Sequence, residues 1–469
     1  MMSRITRSLP AIAFLVAGIL AAGRPAAAAG LGDPFDTESL HAAAPGGSVS
    51  GALGAPCQPT AAGAALTLAE IVDRALCNNP QTRIAWAEAR AQAALVGVAE
   101  SAYLPTLAAT VGRSRHRSDA GAPVTYNQTT GALSASYLIY DFGGRAATLE
   151  NARQLMAALA ASQDAQLQAV FFAAVQAYYQ WYAFAAAVDA ARESERASAE
   201  SLKAAEARYR SGTGTPADRL QAQTAASQAT LSRIQAEGNA RTALGTLANA
   251  MGLDAQDAPA IAAPADAVPD AAFERNLGEL IAAAKRARPD LIAAEAEVGA
   301  ARAGVDAARA SGMPSISLNA ASSTLDGGLP HATRDSSIGV TLSLPLFTGF
   351  NTTYRVRSAE AQLEATAARR DQLSRQVSLD VWRSYYALTT SIEAARASAD
   401  LMASAQASAK VAEGRYRAGV GGILDLLNAQ SALASARQQN IQALYGWRIA
   451  KAALAQAMGR LDFAQISGK

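Results

Sequence analysis

The chain has 469 residues, half of them hydrophobic and 17% charged, with 41 Lys and Arg against 39 Asp and Glu. A net charge of +2, with no basic stripe interleaved with aromatics, excludes nucleic acid as a partner. Length allows about two to four domains, and beyond the N-terminus no run of ~20 apolar residues is present to form a transmembrane helix.

Residues 1–29 read as a signal peptide. Arg4 and Arg7 form a basic start, Ala11 to Ala22 is apolar, and Ala27-Ala28-Ala29 offers a cleavage site. The apolar stretch is short for a membrane anchor, so the mature chain is expected to begin in the periplasm. Residues 30–65 are rich in Gly, Ala, Pro and Ser without periodicity, and are expected to be mobile. Cys57 and Cys77 are the only cysteines. In an oxidising compartment they are a disulfide candidate, tying this segment to the first helix, with two unpaired thiols as the alternative.

From there the chain repeats itself. Tyr103-Leu104-Pro105 and Gly312-Met313-Pro314 end similar helical stretches 209 residues apart. Arg208-Tyr209-Arg210-Ser211-Gly212 matches Arg415-Tyr416-Arg417-Ala418-Gly419 at a spacing of 207, as do Tyr178-Tyr179 with Tyr385-Tyr386 and Met251-Gly252 with Met458-Gly459. So many coincidences mark a duplication. The first repeat covers 66–258, a linker 259–275, the second repeat 276–461 and a tail 462–469.

Each repeat has one plan. A short helix (Leu66 to Cys77; Leu277 to Ala287) leads through Asn79-Pro80 or Arg288-Pro289 into a helix of about twenty residues, which a second Pro ends. An alternating stretch follows: Leu107, Ala109 and Val111, then Leu133, Ala135, Tyr137 and Ile139, and in the second repeat Ile316, Leu318 and Ala320. It is clearest where Ile338, Val340, Leu342 and Leu344 alternate with Gly339, Thr341 and Ser343. Period two with apolar and small polar faces predicts strands, four per chain. Strands of this kind suit either a half-buried hairpin or an outer-membrane barrel, in which the four named apolar residues of the last strand are lipid-facing. Polar, Gly-rich loops are expected over Arg117 to Thr130 and Thr324 to Ser336.

Then come Ala-rich runs from Gly144 to Arg210 and from Asn351 to Glu413, without internal Pro or Gly. At ~1.5 Å per residue each reaches roughly 90–100 Å. Gly-rich breaks after Arg210 and Arg417 turn the chain into returning helices that end at Gly252 and Gly459, so each repeat contributes a long helical hairpin. Four strands cannot close a barrel, and an open edge in lipid leaves backbone groups unsatisfied. Two copies would give eight strands and three would give twelve, both permitted.

The duplicated plan, Asn79-Pro80, Tyr103-Leu104-Pro105, Leu344-Pro345-Leu346-Phe347-Thr348-Gly349 and the two Arg-Tyr-Arg turns resemble the TolC family of outer-membrane export ducts, over Leu66 to Leu461. The segment from Ala75 to Arg83 is most similar to the branch that serves cyclolysin-type toxin secretion. The resemblance implies a mixed fold, part membrane β-barrel and part long α-helical barrel, closed as a homotrimer of twelve strands. It also implies a periplasmic adaptor protein and an inner-membrane transporter as partners, outer-membrane lipid around the barrel, and an exported cargo.

The inventory of chemical groups agrees with a duct rather than an enzyme. His41, His116 and His331 are scattered, His116 and His331 reading as exposed loop residues rather than metal ligands. No phosphate loop of the G-x-x-x-x-G-K-[ST] type occurs, so an ATP-driven partner is expected to supply the energy. No nucleophile constellation assembles, and no cofactor is expected. By resemblance, Ile423 to Asn428 is the tunnel constriction, with Asp425 at the first acidic position and Asn428 replacing the second. The resemblance also suggests a latch holding the tips closed, with Asp218 and Tyr416 as members. Gly421 stands where a basic residue is expected, so Arg415 or Arg417 is the candidate substitute. Asp218 reads equally well as a helix-start residue favoured by the helix dipole. Type I secretion of a protein toxin is the leading function, small-molecule efflux the second, and a structural envelope coiled coil the reading from another class.

Overall fold

The computed structural model describes residues 33–41, 65–118, 124–264, 276–327 and 332–461. The signal peptide 1–29, Cys57, His331, the tail 462–469 and most of the 30–65 and 259–275 segments lie outside the described residues. Part of the N-terminal segment is ordered, contrary to expectation. Thr37–Leu40 forms one 3-10 turn against the helix that follows Pro80. The Asp33 carboxylate organises it, accepting from the Glu38 N–H at 2.7 Å and the Thr37 hydroxyl at 3.0 Å. Composition hid this turn because one acceptor side chain nucleates it without any apolar periodicity.

The short helices are α1 (Leu68–Asn78) and, in the second repeat, α5 (Leu277–Ala287). A capping box starts α1: the Glu70 N–H donates to the Thr67 hydroxyl at 3.4 Å, and the Thr67 N–H to the Glu70 carboxylate at 2.7 Å. Pro80 and Pro289 open α2 (Pro80–Ser101) and α6 (Pro289–Ala310) at the position where a missing N–H is harmless. The strands are β1 (Thr106–Ser118) and β2 (Val124–Tyr140), then β3 (Ser315–Asp326) and β4 (Thr333–Ser343). Each pair leads into a helix of 67 residues, α3 (Gly144–Arg210) or α7 (Asn351–Arg417), and a returning helix of 35, α4 (Pro216–Ala250) or α8 (Ile423–Ala457).

The returning helix and the second helix of each repeat meet end to end alongside the long one. Asn79 Nδ2 donates to the Ala250 carbonyl at 3.2 Å. Gly252, at φ +72°, approaches the Asn78 backbone so closely that a Cβ would lie 2.7 Å from its carbonyl. Gly459, at φ +69°, meets Arg288 in the same way. The repeated Met-Gly pairs therefore mark left-handed helix ends built for a backbone-to-backbone junction. The hydrophobic core lies at this level. Ile71, Leu76, Phe171, Tyr178, Leu247 and Met251 form its first half. Leu280, Val377, Val381, Leu388, Trp447 and Met458 form the second. Leu66 pairs with Ile261 in an isolated parallel bridge, and the Tyr178 and Tyr182 hydroxyls donate to the carbonyls of Ala262 and Ile261 at 3.0 and 3.2 Å. The start of the linker is thus part of the first core.

The strands form one antiparallel sheet in the order β1-β2-β3-β4, with β1 and β4 at its edges. Register puts the apolar residues on one face: Ala109 opposite Leu133, Tyr137 opposite Leu318, and Leu318 opposite Val340. The other face is polar, with Ser136 Oγ donating to Asn319 Oδ1 at 3.0 Å and Asn319 Nδ2 to Thr341 Oγ1 at 3.2 Å. Aromatic residues crowd the helix-side margin. Tyr103, Tyr140, Phe142, Phe347, Phe350 and Tyr354 are all exposed there, as in the girdles of membrane barrels. Among the described residues no helix is long and apolar enough to cross a membrane.

Two expectations are corrected. The strands run further than alternation indicated: β1 reaches Ser118, β2 begins at Val124, β3 reaches Asp326 and β4 begins at Thr333. The added residues are rich in Thr, Ser and Arg, which pair well but lack an apolar face to advertise a strand. Leu344 falls just outside β4, because Ser343 already pairs with Ser315, the first residue of β3, and Pro345 cannot extend the ladder. Ile338, Val340 and Leu342 share the apolar face as expected and are 77, 66 and 64% exposed.

Candidate functional site at the helical tips

Far from the sheet, the two hairpins turn side by side. Each long helix ends in a left-handed glycine, Gly212 at φ +76° and Gly419 at φ +79°. The Thr213 and Val420 N–H groups reach back to the carbonyls of Arg208 and Arg415 at 3.0 and 3.1 Å. Salt bridges hold the first hairpin together behind its tip, Arg233 to Glu195 at 2.7 Å and Arg192 to Glu237 at 3.1 Å. Arg437 to Glu193 at 3.1 Å, and Gln430 to Ser201 at 3.0 Å, tie α8 to α3 across the repeats.

Tyr416 is the centre of the tip. It is only 5% exposed, enclosed by Ala205, Ala222, Ile423 and Leu426. The Arg208 guanidinium lies 4.1 Å from the centre of its ring and donates to the Tyr416 carbonyl. Burial pushes the Tyr416 phenol above its ordinary value; Arg208 opposes the rise and Asp218 adds to it. The phenol is therefore neutral at physiological pH. The basic side chain that lies against Tyr416 is thus Arg208 rather than Arg415 or Arg417. Arg415 and Arg417 are exposed, and Arg417 pairs with Glu413. A Cβ at Gly421 would sit 3.1 Å from Arg415 Cβ and 3.3 Å from its carbonyl carbon, so a side chain there would require Arg415 to shift by a few tenths of an ångström. Arg208 stood in the repeated Arg-Tyr-Arg motif. The signal that identifies it is that equivalent turns of a duplicated hairpin meet at one end.

The two aspartates have different surroundings. Thr215, Pro216 and Asp218 start α4 with a capping box, the Thr215 N–H donating to Asp218 Oδ2 and the Asp218 N–H to Thr215 Oγ1, both at 3.1 Å. This carboxylate is held in the helix-start role, though close enough to influence Tyr416. Asp425 occupies the same place in α8, but Gly422 at its N-cap has no side chain to pair with. Asp425 and Asn428 lie one turn apart on the exposed side of α8, opposite the buried Ile423 and Leu426. The repeats also diverge one residue after Asp218. Arg219 covers the exposed Tyr209 ring at 5.1 Å, whereas Leu426 at the equivalent position is buried beside Tyr416.

Of the histidines, His41 meets Trp86 edge-on at 6.1 Å, and His116 stacks on Tyr126 at 5.4 Å with Ser114 Oγ 2.8 Å from its Nε2. Among the described residues no grouping suited to a metal ion occurs. Cys77, in the last turn of α1, is not a free thiol.

The family model described as "Outer membrane efflux protein" matches residues 71–253 and 280–460, one span in each repeat. The chain is 33% identical to Protein CyaE of Bordetella pertussis, over 90% of both chains. It is 27% identical to the outer membrane protein TolC of Vibrio cholerae, over 84% of this chain and 91% of that one. The solved outer membrane channel CmeC of Campylobacter jejuni superimposes with a TM-score of 0.77, at 19% identity and over 84% and 85% of the two chains. Duplicated hairpins, a two-faced sheet and a tunnel-length helical body thus agree with the comparisons, and the chain belongs to the TolC-type outer membrane efflux protein family, whose channels sit in the cell outer membrane with their helical tunnel in the periplasm.

Proposed function

We propose that three copies of this chain close a twelve-stranded barrel over a continuous helical tunnel, and that the duct releases a protein toxin in type I secretion. A periplasmic adaptor protein and an ATP-driven inner-membrane transporter complete the machine. The observation that carries the closure is a four-stranded sheet with one apolar face, one polar face and two open edges. In lipid those edges demand pairing with further copies, and cyclic symmetry supplies it. The likeness of Ala75 to Arg83 to the cyclolysin-secretion branch, and the identity with CyaE, support secretion of protein. The family's efflux description supports the second reading, export of small molecules.

Within this duct the tips form the gate. Asp425 side chains converge in a constriction with Asn428 behind them, while Arg208 and Tyr416, with Asp218 alongside, bind the second hairpin of each protomer to the first. Heat-modifiable trimers and single-channel conductance from purified protein test the duct itself, and their absence returns the chain to a structural envelope role. A deletion strain decides the cargo. Loss of a secreted protein from the medium with unchanged drug susceptibility supports secretion, and the opposite result supports small-molecule efflux.

A further inference from the structure

The sheet's apolar face changes character at its outer end, the end remote from the helices. On β1 the side that presents Leu107, Ala109 and Val111 continues with Arg113, Arg115 and Arg117, because residues two apart share a face. All three arginines are exposed. Their partners on β2 are Thr129, Asn127 and Thr125, uncharged hydrogen-bonding residues. On the other edge strand, Arg334 lies on the face of Ile338 and Val340. Among the described residues of the sheet one carboxylate, Asp326, shares this side, paired with Thr129. Arginine therefore predominates just where the apolar band stops, on the side away from the polar Asn319 face.

Side chains two residues apart on a strand repeat at about 7 Å, so three guanidinium groups in a row repel one another. They cannot enter hydrocarbon, but their stems can lie along the apolar surface and carry the charges up to the membrane margin. Guanidinium forks bind phosphate oxygens in pairs, and neighbouring threonine hydroxyls add donors. We propose that Arg113, Arg115 and Arg117 form a binding site for the phosphorylated headgroup of an outer-leaflet lipid whose acyl chains lie against Val111, Ala109 and Leu107. Arg334 joins the site from the neighbouring copy when β4 closes against β1. The proposal rests on the barrel reading above.

Purified trimer in detergent is titrated with bisphosphorylated lipid A, with the same lipid after removal of its phosphates, and with inorganic phosphate. The bisphosphorylated lipid should bind at least about tenfold tighter than its dephosphorylated form. That preference should vanish in the Arg113→Gln, Arg115→Gln, Arg117→Gln triple variant and survive in part when the three are Lys. Equal binding of both lipids by the wild type, or an unchanged preference in the glutamine variant, overturns the proposal. Inorganic phosphate binding as tightly as the lipid does too, by showing a simple anion site. The wild-type comparison decides alone if the triple variant does not assemble. Absence of heat-modifiable trimer or conductance in the wild type overturns the barrel reading and the lipid site with it, whereas a conducting trimer indifferent to lipid phosphate overturns the lipid site only.

Discussion

Replacing Arg208 by Met keeps much of the stem that covers Tyr416 but removes the charge. Two interactions are lost in each protomer: the stack on the Tyr416 ring at 4.1 Å, and the charged donor to the Tyr416 carbonyl. Such a stack contributes about 0.5–2 kcal/mol, and a hydrogen bond from a charged group about 1.5–3 kcal/mol. Arg208 is half-buried, and the Tyr416 carbonyl keeps the Gly419 N–H at 3.1 Å, so the joint loss is discounted to about 1–2 kcal/mol per protomer. That weakens the closed arrangement roughly 5–30-fold at each tip. In planar bilayers the Arg208→Met trimer should therefore open for a larger fraction of the time, with higher mean conductance. Tyr416→Phe, which keeps the ring and the carbonyl, should stay near wild type. The reasoning is refuted if Arg208→Met conducts like the wild type while Arg415→Met opens the channel, since the exposed arginine would then be the latch.

Other outcomes follow from the same geometry. Arg at Val340 should cost roughly 2–4 kcal/mol near the bilayer midplane and lower the level of folded trimer, while Arg at the adjacent Thr341 should cost far less; equal tolerance would argue against the barrel. Current through the wild type should be cation-selective and blocked from the periplasmic side by a trivalent cation, and Asp425→Ala should relieve the block; an unchanged block would remove Asp425 from the constriction. Mature protein from the envelope should resist alkylation at Cys57 and Cys77 until reduced, and free labelling of both thiols in denatured, unreduced protein would end the proposed bridge.

The helices were legible because their signals are local. An unbroken Ala-rich run, a Thr-Pro-x-Asp start or a Gly at a left-handed end can be read without knowing what lies opposite. The sheet's apolar half was legible for the same reason, since alternation at Ile338, Val340 and Leu342 states a face directly. Its outer half was not, because Thr125, Asn127 and Thr129 belong to a strand only through pairing with Arg117, Arg115 and Arg113. The tip was half legible. Tyr416 and Asp218 were expected at the tip from the family resemblance and the repeat spacing, but Arg208 reaches its partner across 208 residues of sequence, and no local pattern announces that contact.

Duplication explains the scaffold, and departures from it underlie the proposed gate. A strict repeat would give both tips the same chemistry and no reason for one hairpin to move against the other. Here Asp218 is held by the Thr215 cap, while Asp425, three residues after the glycine N-cap Gly422, is exposed. Arg219 shields an exposed Tyr209, whereas Leu426 helps bury Tyr416. Arg208 is drawn onto the neighbouring hairpin, and its counterpart Arg415 remains exposed. These differences give the first hairpin the capped carboxylate and the arginine that crosses to its neighbour, and leave the second with an exposed aspartate. At the tips the hairpins are coupled by the Arg208–Tyr416 contact, whereas further back Arg437–Glu193 and the shared core hold them together, so under the proposed gate a loss at the tip loosens the tip and leaves the junctions at Gly252 and Gly459 and the core beside them in place.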